Sequence, residues 1–80
     1  MISSFFPGRI RLRFAELKNP VIAAEVLSRI KAIAGISNTE LNPLTGSLLV
    51  EYDTKILPTE KLIELGKTEL AKVNITLKLP

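Results

Sequence analysis

The stretch RIRLRF, residues Arg9–Phe14, decides the fold class because charged and apolar side chains alternate in it without a break. A period of two places successive side chains on opposite faces of a β-strand. The predicted strand is therefore half-buried, with Ile10, Leu12 and Phe14 on its apolar face. Pro7 and Gly8 mark where the strand starts. The other face carries only arginine, and we call it the arginine stripe: Arg9, Arg11 and Arg13.

A helix is predicted directly after this strand. Asn19 is a favoured N-cap residue, and Pro20 is tolerated at the first helical position. Apolar residues then follow at helical spacing as far as Gly35, which is typical of a helix end. Glu25 and Arg29 lie four residues apart on the polar side of this helix, in the order that stabilises it.

A β-hairpin is predicted next. Residues 36–41 form its first strand, residues 42–46 carry a turn signal, and residues 47–52 form its second strand. Alternation in the second strand points Leu49 and Glu51 away from the apolar side. The hairpin therefore adds two strands to the one that carries the arginine stripe.

The last part of the chain predicts a second helix and a final strand. Thr59 is the expected N-cap of the helix, and residues 75–79 alternate as a strand would. The element order βαββαβ with right-handed crossovers predicts an α+β domain. Its sheet has four antiparallel strands in the order 4-1-3-2, with both helices on one face. The arginine stripe, Leu49 and Glu51 then lie on the helix-free face.

Composition excludes several kinds of chemistry. The 80 residues are enough for a single domain over residues 1–80, and the net charge of +3 is mild. The chain has no Cys and no His, so it offers no thiolate nucleophile, no imidazole base and no Cys/His zinc site. No apolar run approaches the length of a membrane span, and the N-terminus does not fit a signal peptide. We therefore expect a cytoplasmic protein.

Residues 35–53, GISNTELNPLTGSLLVEYD, resemble the heavy-metal-associated domain family. That family shows a Gly-Val pair, a strand ending in Val-Asn, a Thr-Gly turn and a strand ending in Tyr-Asp. The resemblance covers roughly residues 8–79 and implies a ferredoxin-like fold. Family members are soluble copper chaperones and N-terminal modules of metal-transporting P-type ATPases. Their Cys-x-x-Cys falls on Asn19 and Ile22, so no metal site is expected here, because Cu(I) and Zn(II) sites of this type need thiolates.

A cysteine-less branch of that family is more similar still, through the segments Pro7–Arg13 and Asn42–Val50. Members of this branch occur at the N-termini of some metal-transporting P-type ATPases and as small free-standing proteins. The resemblance implies a non-catalytic interaction or regulatory module without a cofactor, linked to such an ATPase.

Three interpretations of the arginine stripe stay open. It is a solvated face paired across strands with Glu40 and Glu51, a docking surface for an acidic protein partner, or a weak nucleic-acid-binding surface. As a docking surface it would include Leu49 as well as Glu51. Nucleic acid is disfavoured because sheet-type RNA binders stack bases on aromatic residues of the central strands, and none is expected there.

An enzyme on the same fold is also disfavoured. An acylphosphatase needs a glycine-containing phosphate cradle after its first strand, and residues 15–18 read Ala-Glu-Leu-Lys there. Two interpretations of Phe5 and Phe6 stay open. The two side chains either fold back under the sheet edge or contact a partner.

Overall fold

The computed structural model describes residues 2–76 and gives side chains from Phe6 onward. Neither helix in this part of the chain has the length and apolarity needed to cross a membrane. The elements in chain order are β1 (Ile2–Phe6), β2 (Arg9–Arg13), a 3₁₀ helix (Ala15–Lys18), α1 (Pro20–Lys31), β3 (Ile36–Asn42), β4 (Ser47–Tyr52) and α2 (Thr59–Ala71).

The three strands predicted first along the sequence lie side by side as expected. Within the sheet order β1-β2-β4-β3, β2 pairs with β4 and β4 pairs with β3, and both pairings are antiparallel. The α+β class and the two helices are confirmed. The short loop between β3 and β4 makes the predicted hairpin, and Gly46 adopts a φ of +74° at its end.

The fourth strand is not the one that the sequence pattern predicts. The order 4-1-3-2 reserves the edge beside β2 for residues 75–79, but β1 occupies that edge, with Phe6 opposite Arg9. Gly8, at a φ of +87°, lets the chain turn back between β1 and β2. Pairing β1 with β2 closes only a very short loop. It therefore costs less chain entropy than pairing β2 with the distant residues 75–79. Residues 77–79 of the predicted last strand lie outside the described residues.

The inner face of the sheet carries the core. Alternate residues of β2 and β4 point to this face and pack against apolar residues from both helices, which confirms that the helices share one side. Leu12 is 6% exposed while Arg11 and Arg13 on either side of it are exposed. The predicted register of β2 is therefore confirmed.

The two helices begin differently. The Asn19 cap is confirmed, because its Oδ1 accepts hydrogen bonds from the N–H groups of Val21 (2.9 Å) and Ile22 (3.4 Å). The Thr59 cap is wrong: Pro58 holds the N-cap position, and Thr59 is the first residue of α2. The hydroxyl of Thr59 lies 2.7 Å from the hydroxyl of Tyr52, so it ties α2 to β4 instead.

An ionic network joins the outer surfaces of the helices. The predicted pair of Arg29 with Glu25 is present at 2.8 Å, and Arg29 also reaches Glu69 of α2 at 3.4 Å. Lys72 lies 3.0 Å from the other carboxylate oxygen of Glu69. The hydrogen bond from Lys72 is the largest influence on the pKa of Glu69 and lowers it, the charges of Lys72 and Arg29 act in the same direction, and desolvation opposes them.

Candidate functional site

The register of the strands arranges the helix-free side of the sheet as three rows. Residues directly opposite each other on neighbouring strands point to the same side, so each row takes one residue from β2, one from β4 and one from β3. The rows are Arg9, Glu51 and Asn38; Arg11, Leu49 and Glu40; and Arg13, Ser47 and Asn42. We call these nine residues the open face.

The arginine stripe lies exposed along one side of the open face, as the sequence predicts. Arg13 is tied to the turn between β3 and β4, because its Nε donates a hydrogen bond to the Thr45 carbonyl oxygen at 3.4 Å. Glu51 is one of the two carboxylates that pair with the stripe if it is a solvated face. It lies opposite Arg9, but within the described part of the chain its hydrogen bond comes from Asn38 Nδ2 at 3.0 Å.

Leu49 lies on the open face as predicted, but it does not stand out from it. It is opposite both Arg11 and Glu40, and it is only 8% exposed. It does not belong to the cluster packed beneath the helices, so its burial comes from the open face itself. Long side chains on the two neighbouring strands cover apolar surface with their aliphatic stems. Leu49 therefore forms a recessed floor and offers a partner little direct contact.

A depression of about 430 Å³ lies above this floor. Its floor is Ser47 and Leu49 of β4, and its basic wall is Arg9 and Arg11 of β2. Polar and acidic groups line the opposite wall and the end near the turn: Glu40, Asn42 and Thr45. The hydroxyls of Thr45 and Ser47 are hydrogen-bonded at 2.9 Å, which fixes that end. The depression thus has one positive wall and one wall of amide and carboxylate groups.

Phe6, which the sequence places either under the sheet edge or against a partner, lies in the strand that the sequence pattern missed. It lies opposite Arg9 in the pairing of β1 with β2, and it is 65% exposed. The turn signal at Pro7 and Gly8 could have identified it, had that signal been taken as a hairpin turn. An aromatic ring therefore borders the arginine stripe, on an edge strand and not on the central strands.

The start of α1, Asn19 to Ile22, is where the resemblance places the family's metal-binding cysteines. Asn19 Oδ1 is occupied by the two N–H groups that it caps, and Ile22 packs against the core. Neither residue can supply the thiolate that Cu(I) or Zn(II) needs at such a site. Over residues 2–76 there is also no group of three or more His, Cys, Asp or Glu that could hold a metal ion. The residues present therefore do not fit a soft-metal site.

Comparison with known proteins gives one match. No curated protein and no solved structure matches the chain significantly. A family model, heavy metal associated domain 2, matches residues 1–74, a region that includes β1 and every other element described above. This match covers nearly all of the 80 residues and agrees with the resemblance seen in the hairpin. The chain therefore belongs to the heavy metal associated domain 2 family, as a member that has no cysteine.

Proposed function

We propose that this protein is a non-catalytic interaction module that binds an acidic protein partner through the open face and acts with a metal-transporting P-type ATPase. The observation that carries the proposal is the exposed arginine stripe on the side of the sheet that the helices leave uncovered. The chain belongs to a heavy metal associated family but has no thiolate at Asn19 or Ile22. This combination supports a role in binding a protein and not in carrying a soft metal ion.

Electrostatics support a docking role for this face. Three guanidinium groups on alternate residues of one strand concentrate positive charge on a chain whose net charge is only +3. Complementary charge on a partner mainly accelerates encounter and selects the partner, and its effect weakens as salt rises. Exposed charges usually contribute little to stability, so the arginine stripe is suited to such a use.

The absence of catalysis is part of the proposal. The chain has no His or Cys to act as base or nucleophile. Where a phosphate cradle would follow the first arginine-bearing strand, residues Ala15–Lys18 form a 3₁₀ helix with Leu17 buried. These features support binding as the function of the domain.

Single-stranded nucleic acid is the second candidate partner, and Phe6 is the observation that favours it. Such binders combine basic grooves with aromatic side chains on which bases stack. Phe6 and Arg9 lie opposite each other on neighbouring strands and offer one such position. Glu40 and Glu51 lie on the same face and would repel phosphate, which is why we place the protein partner first.

Capture from the native lysate tests the proposal. The variant Arg9→Glu/Arg11→Glu/Arg13→Glu should lose the captured ATPase domain, because the charge of the docking face is reversed. The matched control Lys31→Glu/Lys61→Glu/Lys67→Glu makes the same charge change at exposed helical residues and should retain it. Urea denaturation checks the fold, and the corresponding Arg→Gln triple variant replaces the first one if that variant unfolds.

Two outcomes would contradict this function. A folded triple variant that captures the ATPase domain with unchanged affinity would show that the arginine stripe is only a solvated face. Capture that disappears after nuclease treatment, together with loss of oligothymidylate binding in Phe6→Ala, would instead favour nucleic acid.

A further inference from the structure

We infer that the depression above Leu49 binds one extended segment of the partner, whose alternate carboxylates meet Arg9 and Arg11. This inference rests on the proposed function and names the kind of segment that the open face recognises. Its argument starts from the shape of the depression, whose walls belong to β2 and β3 and whose floor belongs to the single strand between them.

The width of the depression favours an extended chain. Neighbouring strands lie about 4.8 Å apart, so the backbones of β2 and β3 are about 10 Å apart across β4. Their side chains narrow this space further. An α-helix with its side chains is about 10–12 Å across and would rest on top of the walls. An extended segment can lie between them, above the recessed side chain of Leu49, which is 8% exposed.

The spacing of the basic wall sets the pattern of the ligand. Arg9 and Arg11 are alternate residues of one strand, so their side chains emerge about 6.7 Å apart. Alternate side chains of an extended partner segment repeat at the same distance. Each guanidinium group can bind one carboxylate with paired hydrogen bonds. Equal spacing of arginines and carboxylates lets both pairs form at the same time. Two acidic residues separated by one residue are therefore the recognised unit.

The opposite wall restricts acidity to one side of the segment. Glu40 faces Arg11 across Leu49, and Asn42 and Thr45 continue that wall with an amide and a hydroxyl. A carboxylate placed on this side would be repelled by Glu40. A segment with acids on one face and small polar residues on the other fits both walls. A nucleic acid strand carries a phosphate at every nucleotide and fits them less well.

A second copy of this chain does not supply such a segment. Its one pair of acidic residues separated by a single residue is Glu51 and Asp53. Glu51 lies within β4 and accepts a hydrogen bond from Asn38, and Asp53 accepts one from the Lys55 N–H at 2.9 Å. Both carboxylates are thus held within the fold, so the occupant comes from a different protein.

Two synthetic peptides of one composition test this inference by NMR titration of the ¹⁵N-labelled full chain at low salt, about 20 mM. The peptide acetyl-TETETET-amide carries glutamates on alternate positions, and acetyl-TEETTET-amide has no two glutamates separated by one residue. The alternating peptide should bind about fivefold more tightly and shift the amide signals of Ser47, Leu49 and Glu40.

Three variants test whether the preference for the alternating peptide comes from the two walls of the depression. Arg9→Gln/Arg11→Gln should weaken binding of the alternating peptide about fivefold, since two exposed ion pairs are lost. The matched control Lys61→Gln/Lys67→Gln removes the same charge from α2 and should leave the affinity unchanged. Glu40→Gln should reduce the difference between the two peptides, because it removes the repulsion from the second wall.

The outcomes separate this inference from the proposed function. Equal affinity for the two peptides, or an unchanged affinity of Arg9→Gln/Arg11→Gln for the alternating peptide, would overturn the extended acidic segment. If lysate capture is still lost in the triple Glu variant, the open face remains the docking site and only the segment model fails. Tighter binding of a short oligothymidylate through the same residues would overturn the protein ligand in favour of nucleic acid.

Discussion

The two faces of the same strands carry opposite chemistry. On β2, Ile10 and Leu12 point towards the helices and are 3% and 6% exposed, while the arginine stripe alternates with them on the other side. Burial of apolar side chains stabilises a fold, and exposed charges contribute little to its stability. The inner face therefore accounts for folding. Exposed charges of this kind are expected to contribute little to stability, so we look for function on the outer face, where the three arginines lie.

The largest expected effect tests this division directly. Leu12→Ala should lower the free energy of unfolding by about 2–5 kcal/mol, because it leaves a cavity between sheet and helices. Arg11→Ala, one residue away on the open face, should cost well under about 1 kcal/mol. Urea unfolding of both variants measures the difference. Similar losses at the two positions would mean that β2 is shifted by one residue, since such a slip exchanges the two faces.

A smaller effect is expected at the start of α1. Asn19→Ala removes the side chain that accepts hydrogen bonds from the N–H groups of Val21 and Ile22, and it should cost about 1 kcal/mol of stability. The same variant should capture the partner as well as the wild type does, because Asn19 is not part of the open face. Lost capture by a folded Asn19→Ala protein would move the functional surface from the sheet to this helix end.

Periodicity predicts the elements whose side chains face two different environments. The alternation of Arg9–Arg13 and the helical spacing after Pro20 each identify one element and the face that it buries. β1 has no such pattern, because ISSFF does not alternate and its register shifts between Ile2 and Ser4. It forms a strand because the turn at Gly8 brings it beside β2, with which it pairs. Neither the turn nor the pairing produces a periodic pattern in the sequence.

The candidate site shows a similar limit. The side of the sheet that Leu49 faces follows from alternation within β4. The predicted order of the three strands places Leu49 between two neighbours, but only the observed register puts Arg11 and Glu40 directly opposite it. The depression depends on the same register, and the position of Phe6 beside Arg9 depends on β1, the strand that the sequence pattern does not predict. Residue identity predicts the chemistry of the open face, and only the topology gives its shape.

A third prediction contrasts the open face with the ionic network on the helices. The pKa of Glu69 is lowered below its ordinary value of 4.5 by its hydrogen bond to Lys72 and by Arg29. A carboxylate with a lowered pKa contributes stability that is present above the unfolded-state pKa and is lost as the pH falls through the folded-state pKa. The wild type should thus lose its advantage over Glu69→Gln on acidification.

Urea midpoints from about pH 7 to about pH 3 measure this advantage. Glu64→Gln, an exposed residue of the same helix, serves as the control for removing a carboxylate. If the difference between wild type and Glu69→Gln stays constant over this range, the network contributes no pH-dependent stability. A difference that grows with rising pH would instead show that the ionic network on the helices stabilises the fold through the charge of Glu69.

The smallest expected effect is the response to Cu(I), for which we predict no stoichiometric binding. Asn19 and Ile22 stand where the resemblance places cysteines, and one of them caps α1 while the other packs against the core. Titration against a competing chromophoric chelator measures the affinity. The variant Asn19→Cys/Ile22→Cys is the positive control, since two thiolates at the start of a helix restore ligands that Cu(I) prefers. One equivalent retained by the wild type at submicromolar affinity would contradict the prediction, and the function would then have to be sought at the start of α1 and not on the open face.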